Sequence, residues 1–272
     1  PDNPNIVFAG GLELYRSIDG GNSWNDLSEW NLMYSGGGDR YVHADIHQIV
    51  FQPDNYDNFL VTSDGGIFLT TNSLDNWDDV IFTERNQGYN TLQFYTCDLA
   101  SIENGNLFVG GLQDNGTLIS NLNGSSQDNL DINDMITGGD GAYCFYDMND
   151  PLLITSTYYN AWYFINFNEN TYNYLNNNSG VFINPSDYDS DNNILYANKV
   201  RFNGTQSNRI IKIDNINPEE IENPGLSLWT INLNTNTSVY FSAIKVSPYS
   251  GNNSTTLFLG TLSGRLYKVN NV

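Results

Sequence analysis

Positive charge is scarce in this chain. Ten lysines and arginines stand against 31 aspartates and glutamates, a formal net charge of −21 at neutral pH. The phosphate backbone of a nucleic acid would be repelled, and no basic stripe with interleaved aromatics is present. An anionic membrane surface is disfavoured for the same reason. Cysteine is almost absent. Cys97 and Cys144 cannot make a disulfide framework; they can make one bridge at most, which their spacing neither requires nor excludes, and two buried free thiols are the expectation. No apolar run is long enough to span a bilayer, and no signal peptide or lipidation motif is visible. No stretch holds a helical period over a useful length. What remains is rich in rings, with 18 Tyr and 14 Phe, and its short apolar runs are separated by Asn, Asp, Gly, Ser and Thr. That is the composition of many short strands joined by turns, with enough apolar surface for a core.

One stretch organises the rest. Ser17-Ile18-Asp19-Gly20-Gly21-Asn22-Ser23-Trp24 reads S-x-D-x-G-x-x-W and follows the alternating run Leu12-Glu13-Leu14-Tyr15-Arg16. Asp19 can accept hydrogen bonds from the N–H groups of its own turn. Gly20 and Gly21 tolerate positive φ. Ser17 can bond across the turn, and Trp24 can fold back over it as an apolar lid. The stretch resembles the Asp-box, or BNR repeat, of sialidases, sortilin-type receptors and secreted bacterial propellers, and all four fixed positions, Ser17, Asp19, Gly21 and Trp24, match. The resemblance implies a structural hairpin on the outer side of a propeller blade.

Around this hairpin a phrase of three or four strands recurs at about 45 residues, the period of a blade. In the second copy Thr70-x-Asn72-x-Leu74-x-x-Trp77 is a degraded Asp-box at the same spacing. The fourth copy is expected to open near Met135 to Gly141, and the fifth with a strand over Val181 to Pro185. The first and last copies look incomplete. The expected fold is therefore an all-β propeller with about six blade-like repeats; the first and last copies either complete one shared blade when the ring closes or belong to a parent of about seven or more blades. Residues 1–272 are expected to form a single propeller domain. The opening Pro1-Asp2-Asn3-Pro4-Asn5 reads as the middle of a repeat, so the chain is expected to be a fragment of a longer multidomain secreted protein. The sequons at Asn115 and Asn203 carry little weight in an Asn-rich chain.

Three features offer chemistry. The only histidines lie in Val42-His43-Ala44-Asp45-Ile46-His47. With a strand period of two, His43, Asp45 and His47 point to one face. Such a face could hold a transition metal such as zinc or iron, take part in ligand binding, or form a hydrogen-bond network that joins one blade to the next. The turns Asp64-Gly65-Gly66, Asp114-Asn115-Gly116 and Asp140-Gly141 follow apolar strands at comparable places. Together with the acidic surface they leave calcium or another divalent metal open as a cofactor, or a carbohydrate-binding rim; alternatively each aspartate caps its own turn. The binding candidates are thus His43, Asp45, His47, Asp114 and Asp140. Finally, Tyr158-Tyr159-Asn160-Ala161-Trp162-Tyr163 is either a stacking platform for sugars or core and inter-blade packing.

Several of these phrases resemble something more particular. His-Ala-Asp-Ile-His, Ser-Asp-Gly-Gly-Ile, Leu-Gln-Phe-Tyr, Gly-Gly-Leu-Gln-Asp-Asn-Gly-Thr and Gly-Gly-Asp-Gly, in that order, look like a group of BNR/sortilin-like propeller proteins of Bacteroidetes. These are surface proteins exported by the type IX system. The resemblance implies an extracellular or cell-surface module attached to further domains of the same parent chain. Sialidases share the Asp-box but need an arginine triad; this chain has six arginines and no Arg-Ile-Pro signature. Leu60 to Ile67 is also similar to a strand-turn phrase of xyloglucanases, which would make Asp64 a catalytic carboxylate. Such enzymes need a second acid across a cleft between two propellers. The reading is a non-catalytic extracellular module that binds a protein or glycan partner, without nucleic acid or membrane insertion. A glycoside hydrolase using Asp64, or the remnant of one, is the alternative.

Overall fold

The computed structural model describes residues 3–89, 91–102, 105–121, 133–147, 149–201, 207–221, 225–235, 238–251 and 254–272. Pro1 and Asp2 of the opening phrase and the Asn203 sequon lie outside them. The described chain is almost wholly strand and turn, and none of its helices is long and apolar enough to cross a membrane.

Six antiparallel sheets follow one another along the chain, and within each sheet every strand pairs with its neighbours in sequence. This repeated meander is blade construction, and the fold is an all-β propeller. The chain divides into two compact units, residues 1–92 and 93–272. The first unit holds a three-stranded sheet, β1 (Val7–Gly10), β2 (Leu14–Ser17) and β3 (Asn25–Asp26). A four-stranded sheet follows, β4 (Ile46–Gln52), β5 (Asn55–Ser63), β6 (Gly66–Thr70) and β7 (Phe82–Glu84). Their facing surfaces bury Leu14, Leu27, Val42, Phe59, Val61 and Phe68. Each such side chain contributes about 1.5–3 kcal/mol on removal from water.

The second unit holds four sheets. The first is β8 (Phe94–Ile102), β9 (Gly105–Leu112), β10 (Thr117–Asn121) and β11 (Asn133–Thr137). The second is β12 (Cys144–Tyr146), β13 (Leu152–Ser156), β14 (Ala161–Asn166) and β15 (Thr171–Asn176). The third is β16 (Ser186–Asp189), β17 (Ile194–Asn198), β18 (Arg209–Asp214) and β19 (Ser227–Asn232). The last has three strands, β20 (Phe241–Val246), β21 (Thr256–Thr261) and β22 (Leu266–Asn270). The expected shortening of the first and last repeats is therefore present.

Two expected strands are corrected. Met135 to Gly141 does not open the fourth blade. Its first half is in β11, the outermost strand of the third blade, and the fourth begins at β12. Val181 to Pro185 is a bend rather than a strand, and the first strand of the fifth blade is Ser186-Asp187-Tyr188-Asp189. A polar tetrapeptide reads as loop, yet all four residues are buried. Partners on the adjoining sheets explain this. Asp187 accepts from the Val246 N–H of β20 at 2.6 Å and from Lys245 Nζ at 2.9 Å. Asp189 accepts from the Thr255 hydroxyl at 2.5 Å. Tyr188 donates its hydroxyl to Asp147, just beyond β12, at 2.6 Å. One sheet earlier, Asp98 of β8 accepts from the Tyr146 N–H of β12 at 2.7 Å. Each junction in this unit thus carries an aspartate that satisfies a donor on the adjoining sheet. A buried carboxylate persists only when it is hydrogen-bonded in this way. Burial still pushes Asp187 and Asp147 above the ordinary carboxylate range.

Candidate functional site

The Asp-box stretch forms the hairpin between β2 and β3. Asp19 Oδ1 accepts from the Ser23 N–H at 2.8 Å and Oδ2 from the Ser23 hydroxyl at 2.6 Å. The Ser17 hydroxyl donates to Asp19 at 2.8 Å and accepts from the Gly21 N–H at the same distance. Trp24 lies over Gly21, whose φ is +93°, and donates its indole N–H to the Gly21 carbonyl at 3.1 Å. The hydrogen bonds from Ser23, then that from Ser17, hold Asp19 down to a pKa of about 2. Both carboxylate oxygens are engaged within the turn, so the arrangement is a scaffold. The degraded copy keeps half of it. Asn72 Oδ1 accepts from the Ile81 N–H at 3.0 Å and Thr70 donates to Asn72 at 3.2 Å. Trp77, however, lies under the Arg40 guanidinium, 4.9 Å from its ring centre.

His43, Asp45 and His47 do not share a strand face. β4 begins at Ile46, and Asp45 has φ +63°, in the left-handed region, so the period of two does not run through the three residues. The register also shifts between Ile46 and Gln48, which sets His47 in a bulge. His43 is buried, its ring against Gly65 and its Nδ1 3.2 Å from the Ala44 carbonyl. His47 is exposed and pairs through Nε2 with Asp64 Oδ1. That hydrogen bond, and then the Asp64 charge, raise the His47 pKa above its ordinary value. Asp64 is therefore the counter-charge of a histidine on the turn between β5 and β6.

Asp114 and Asp140 do come together. Asp114, at φ +62° in the turn between β9 and β10, donates its N–H to Asp140 Oδ1 at 3.0 Å. Asp140 lies on the connection from β11 to β12, which runs backbone-to-backbone under that turn. The Gly116 N–H donates to the Gly139 carbonyl at 2.8 Å, and the Gly141 N–H to the Leu112 carbonyl at 2.7 Å. A Cβ on Gly141 would lie 2.0 Å from the Gly116 oxygen, so only glycine fits. Beside the turn, the Tyr95 hydroxyl donates to Gln113, and partial burial with the charges of Asp140 and Asp114 raises its pKa.

The aromatic stretch splits in two. Ala161 and Trp162 are core residues of β14, as the packing alternative required. Tyr158 and Tyr159 occupy the turn between β13 and β14 and are 43% and 41% exposed. They meet Phe182, 36% exposed, on the connection from β15 to β16. Tyr158 and Phe182 stack with centroids 5.8 Å apart and planes 7° apart; Tyr159 packs edge-on against both. Tyr163 continues β14 and pairs with Tyr174 across the sheet at 4.7 Å.

Sequence reasoning missed what supports these rings. Asn160, Asn184 and Asn198 form a buried knot of carboxamides. Asn184 Nδ2 donates to Asn160 Oδ1 at 2.6 Å and to the Asn198 carbonyl at 2.8 Å. Its Oδ1 accepts from Asn198 Nδ2 at 3.0 Å and from the Val181 N–H at 2.9 Å. Asn160 Nδ2 donates to the Ser179 hydroxyl at 3.0 Å and the Asn198 carbonyl at 2.8 Å. Asn160 has φ +59°, a conformation asparagine tolerates better than most residues, but in an Asn-rich chain that signal has no contrast. Cys97 and Cys144 are separate thiols as expected, but only Cys144 is buried, and burial pushes it up to about 12; Cys97 is exposed, a correction to the expected burial of both.

No protein-family model matches this sequence, and no curated protein matches it. Among solved structures, the β-propeller domain of Cps50 (Swd1) from Myceliophteria thermophila aligns over 97% of this chain and 82% of that chain, with 10% identity and a TM-score of 0.45. The propeller assignment rests on the six meander sheets themselves.

Proposed function

We propose that this chain is a non-catalytic propeller module of the Asp-box kind that binds a protein or glycan partner. We place it on a secreted or cell-surface protein of the type IX-exported group that its phrases resemble. The observation that carries the reading is the engagement of three of its aspartates. Asp19 is held by its own turn, Asp140 caps the Asp114 N–H, and Asp64 is tied to His47. A hydrolase needs one carboxyl free to donate a proton and another free to activate water or attack. A rigid scaffold with side chains presented on turns needs only recognition. The test is incubation of the purified protein with soluble xyloglucan and mixed-linkage β-glucan, with reducing ends measured over days. No release is expected. Release that disappears in Asp64→Asn would establish the hydrolase alternative instead.

A further inference from the structure

We propose that Tyr158, Tyr159 and Phe182 form a binding platform for a neutral carbohydrate chain. The inference rests on the interaction-module reading above and assigns it a place. Three exposed rings meet within 6 Å, centre to centre, at one end of the sheet β12–β15. Sugars present a face of C–H groups to aromatic rings and a rim of hydroxyls to polar groups, so they need both in one place.

The rim is polar, and the Arg201 guanidinium reaches it by donating to the carbonyl and Oδ1 of Asn178. The two segments that carry the rings, Thr157 to Ala161 and Asn176 to Asn184, contain no Asp, Glu, Lys or Arg in a chain of net charge −21. Asn176 and Asn178 are exposed on the segment that also carries Phe182, and a carboxamide both donates and accepts, as a sugar hydroxyl does. A neutral glycan avoids the repulsion that an acidic one would meet from the negative field of the whole chain, against which the Arg201 guanidinium, already donating to Asn178, is a single local counter-charge.

The platform is also held in advance of any ligand. Tyr159 and Asn160 sit at φ +56° and +59°, and the turn is closed from the Ala161 N–H to the Tyr158 carbonyl at 3.3 Å. A bulky residue at positive φ is uncommon, where glycine or asparagine would be less strained. The carboxamide knot beneath fixes Asn160, and the Ser179 N–H donates to the Tyr159 carbonyl at 3.1 Å. A chain that keeps a tyrosine in this strained position and points it at solvent has put rigidity under an exposed ring. Rigid rings lose little freedom on binding, and that favours affinity.

The test uses the native protein and three neutral hexasaccharides, cellohexaose, laminarihexaose and mannohexaose, titrated calorimetrically. Binding of at least one is expected, weakened at least tenfold in the double variant Tyr158→Ala/Phe182→Ala. Trp229→Ala, an exposed ring on β19, is expected to bind as the native protein does. The thermal melts of both variants, compared with the native one, show that each is folded. Binding that persists in the folded double variant overturns the platform while leaving the module reading intact. Binding of none of the three by the native protein overturns the carbohydrate assignment and leaves a protein as the partner. Cleavage of a hexasaccharide instead of retention overturns the module reading itself.

Discussion

The Asp-box hairpin and the carboxamide knot solve the same problem at opposite depths. Both hold the backbone in bends that contain positive φ, and both use short polar side chains to satisfy its N–H and carbonyl groups. In the hairpin every side-chain hydrogen bond named above spans four residues or fewer, and most of the groups are exposed. In the knot the three asparagines bond one another across 14 to 38 residues, and all three carboxamides are buried. Water can replace a lost bond in the first case. In the second it cannot, and the orphaned donor or acceptor bears its full desolvation penalty.

The comparison is sharpest at Asn184. Asn184→Ala removes four hydrogen bonds and leaves the Val181 N–H and parts of Asn160 and Asn198 without partners in a buried site. The expected loss is about 3 kcal/mol or more, since each orphaned buried group costs about 1–3 kcal/mol. Denaturant unfolding measures it. A loss below about 1 kcal/mol would mean that water enters the site, and the knot would then be no deeper in effect than the hairpin.

Ser17 comes next. Its hydroxyl is the one buried member of the hairpin, and Ser17→Ala deprives the Gly21 N–H of its partner. The expected destabilisation is about 1 kcal/mol, because the turn can still open toward solvent. Asp19 adds a dependence on pH. Its folded pKa lies below the unfolded value, so its contribution is complete above about pH 4 and is lost as pH falls through about 2. Thermal melts of native protein and Asp19→Asn are expected to differ at neutral pH and to converge in strong acid. A constant gap across that range would remove the carboxylate from the account.

The same contrast explains what could be read in advance. The hairpin was legible because its partners are adjacent in sequence, so the spacing Ser17, Asp19, Gly21, Trp24 already contains the geometry. Apolar strands such as Ile194–Asn198 and Leu152–Ser156 were legible from composition alone. The strand Ser186–Asp189 was not, because its polar side chains are paid for by Lys245, Val246, Thr255 and Asp147, far away in the chain. The expected common face of His43, Asp45 and His47 fails for a related reason. A period of two holds only while the backbone is extended, and one left-handed residue, Asp45, ends it. Of the aromatic stretch, the sequence showed the rings but not Phe182, which joins them from across a connection.

The smallest expected effect is at the exposed extreme. His47 and Asp64 form a charged pair between the bulge in β4 and the β5–β6 turn, with neither side chain buried. Asp64 raises the His47 pKa, so the folded state binds a proton more tightly than the unfolded one. The contribution is therefore fully present below the unfolded value of about 6.5 and is lost as pH rises through the raised folded value. Amide exchange at Gly65 and Gly66 is expected to be slower at about pH 5.5 than at about pH 8.5, after correction for intrinsic rates. In His47→Gln the difference is expected to disappear. Solvent screens such a pair, so salt is expected to shrink the difference as well, while leaving the losses at Asn184 and Ser17 untouched. Protection that ignores both pH and salt would show that the turn is held by its backbone alone, and that Asp64 and His47 are neighbours without being partners.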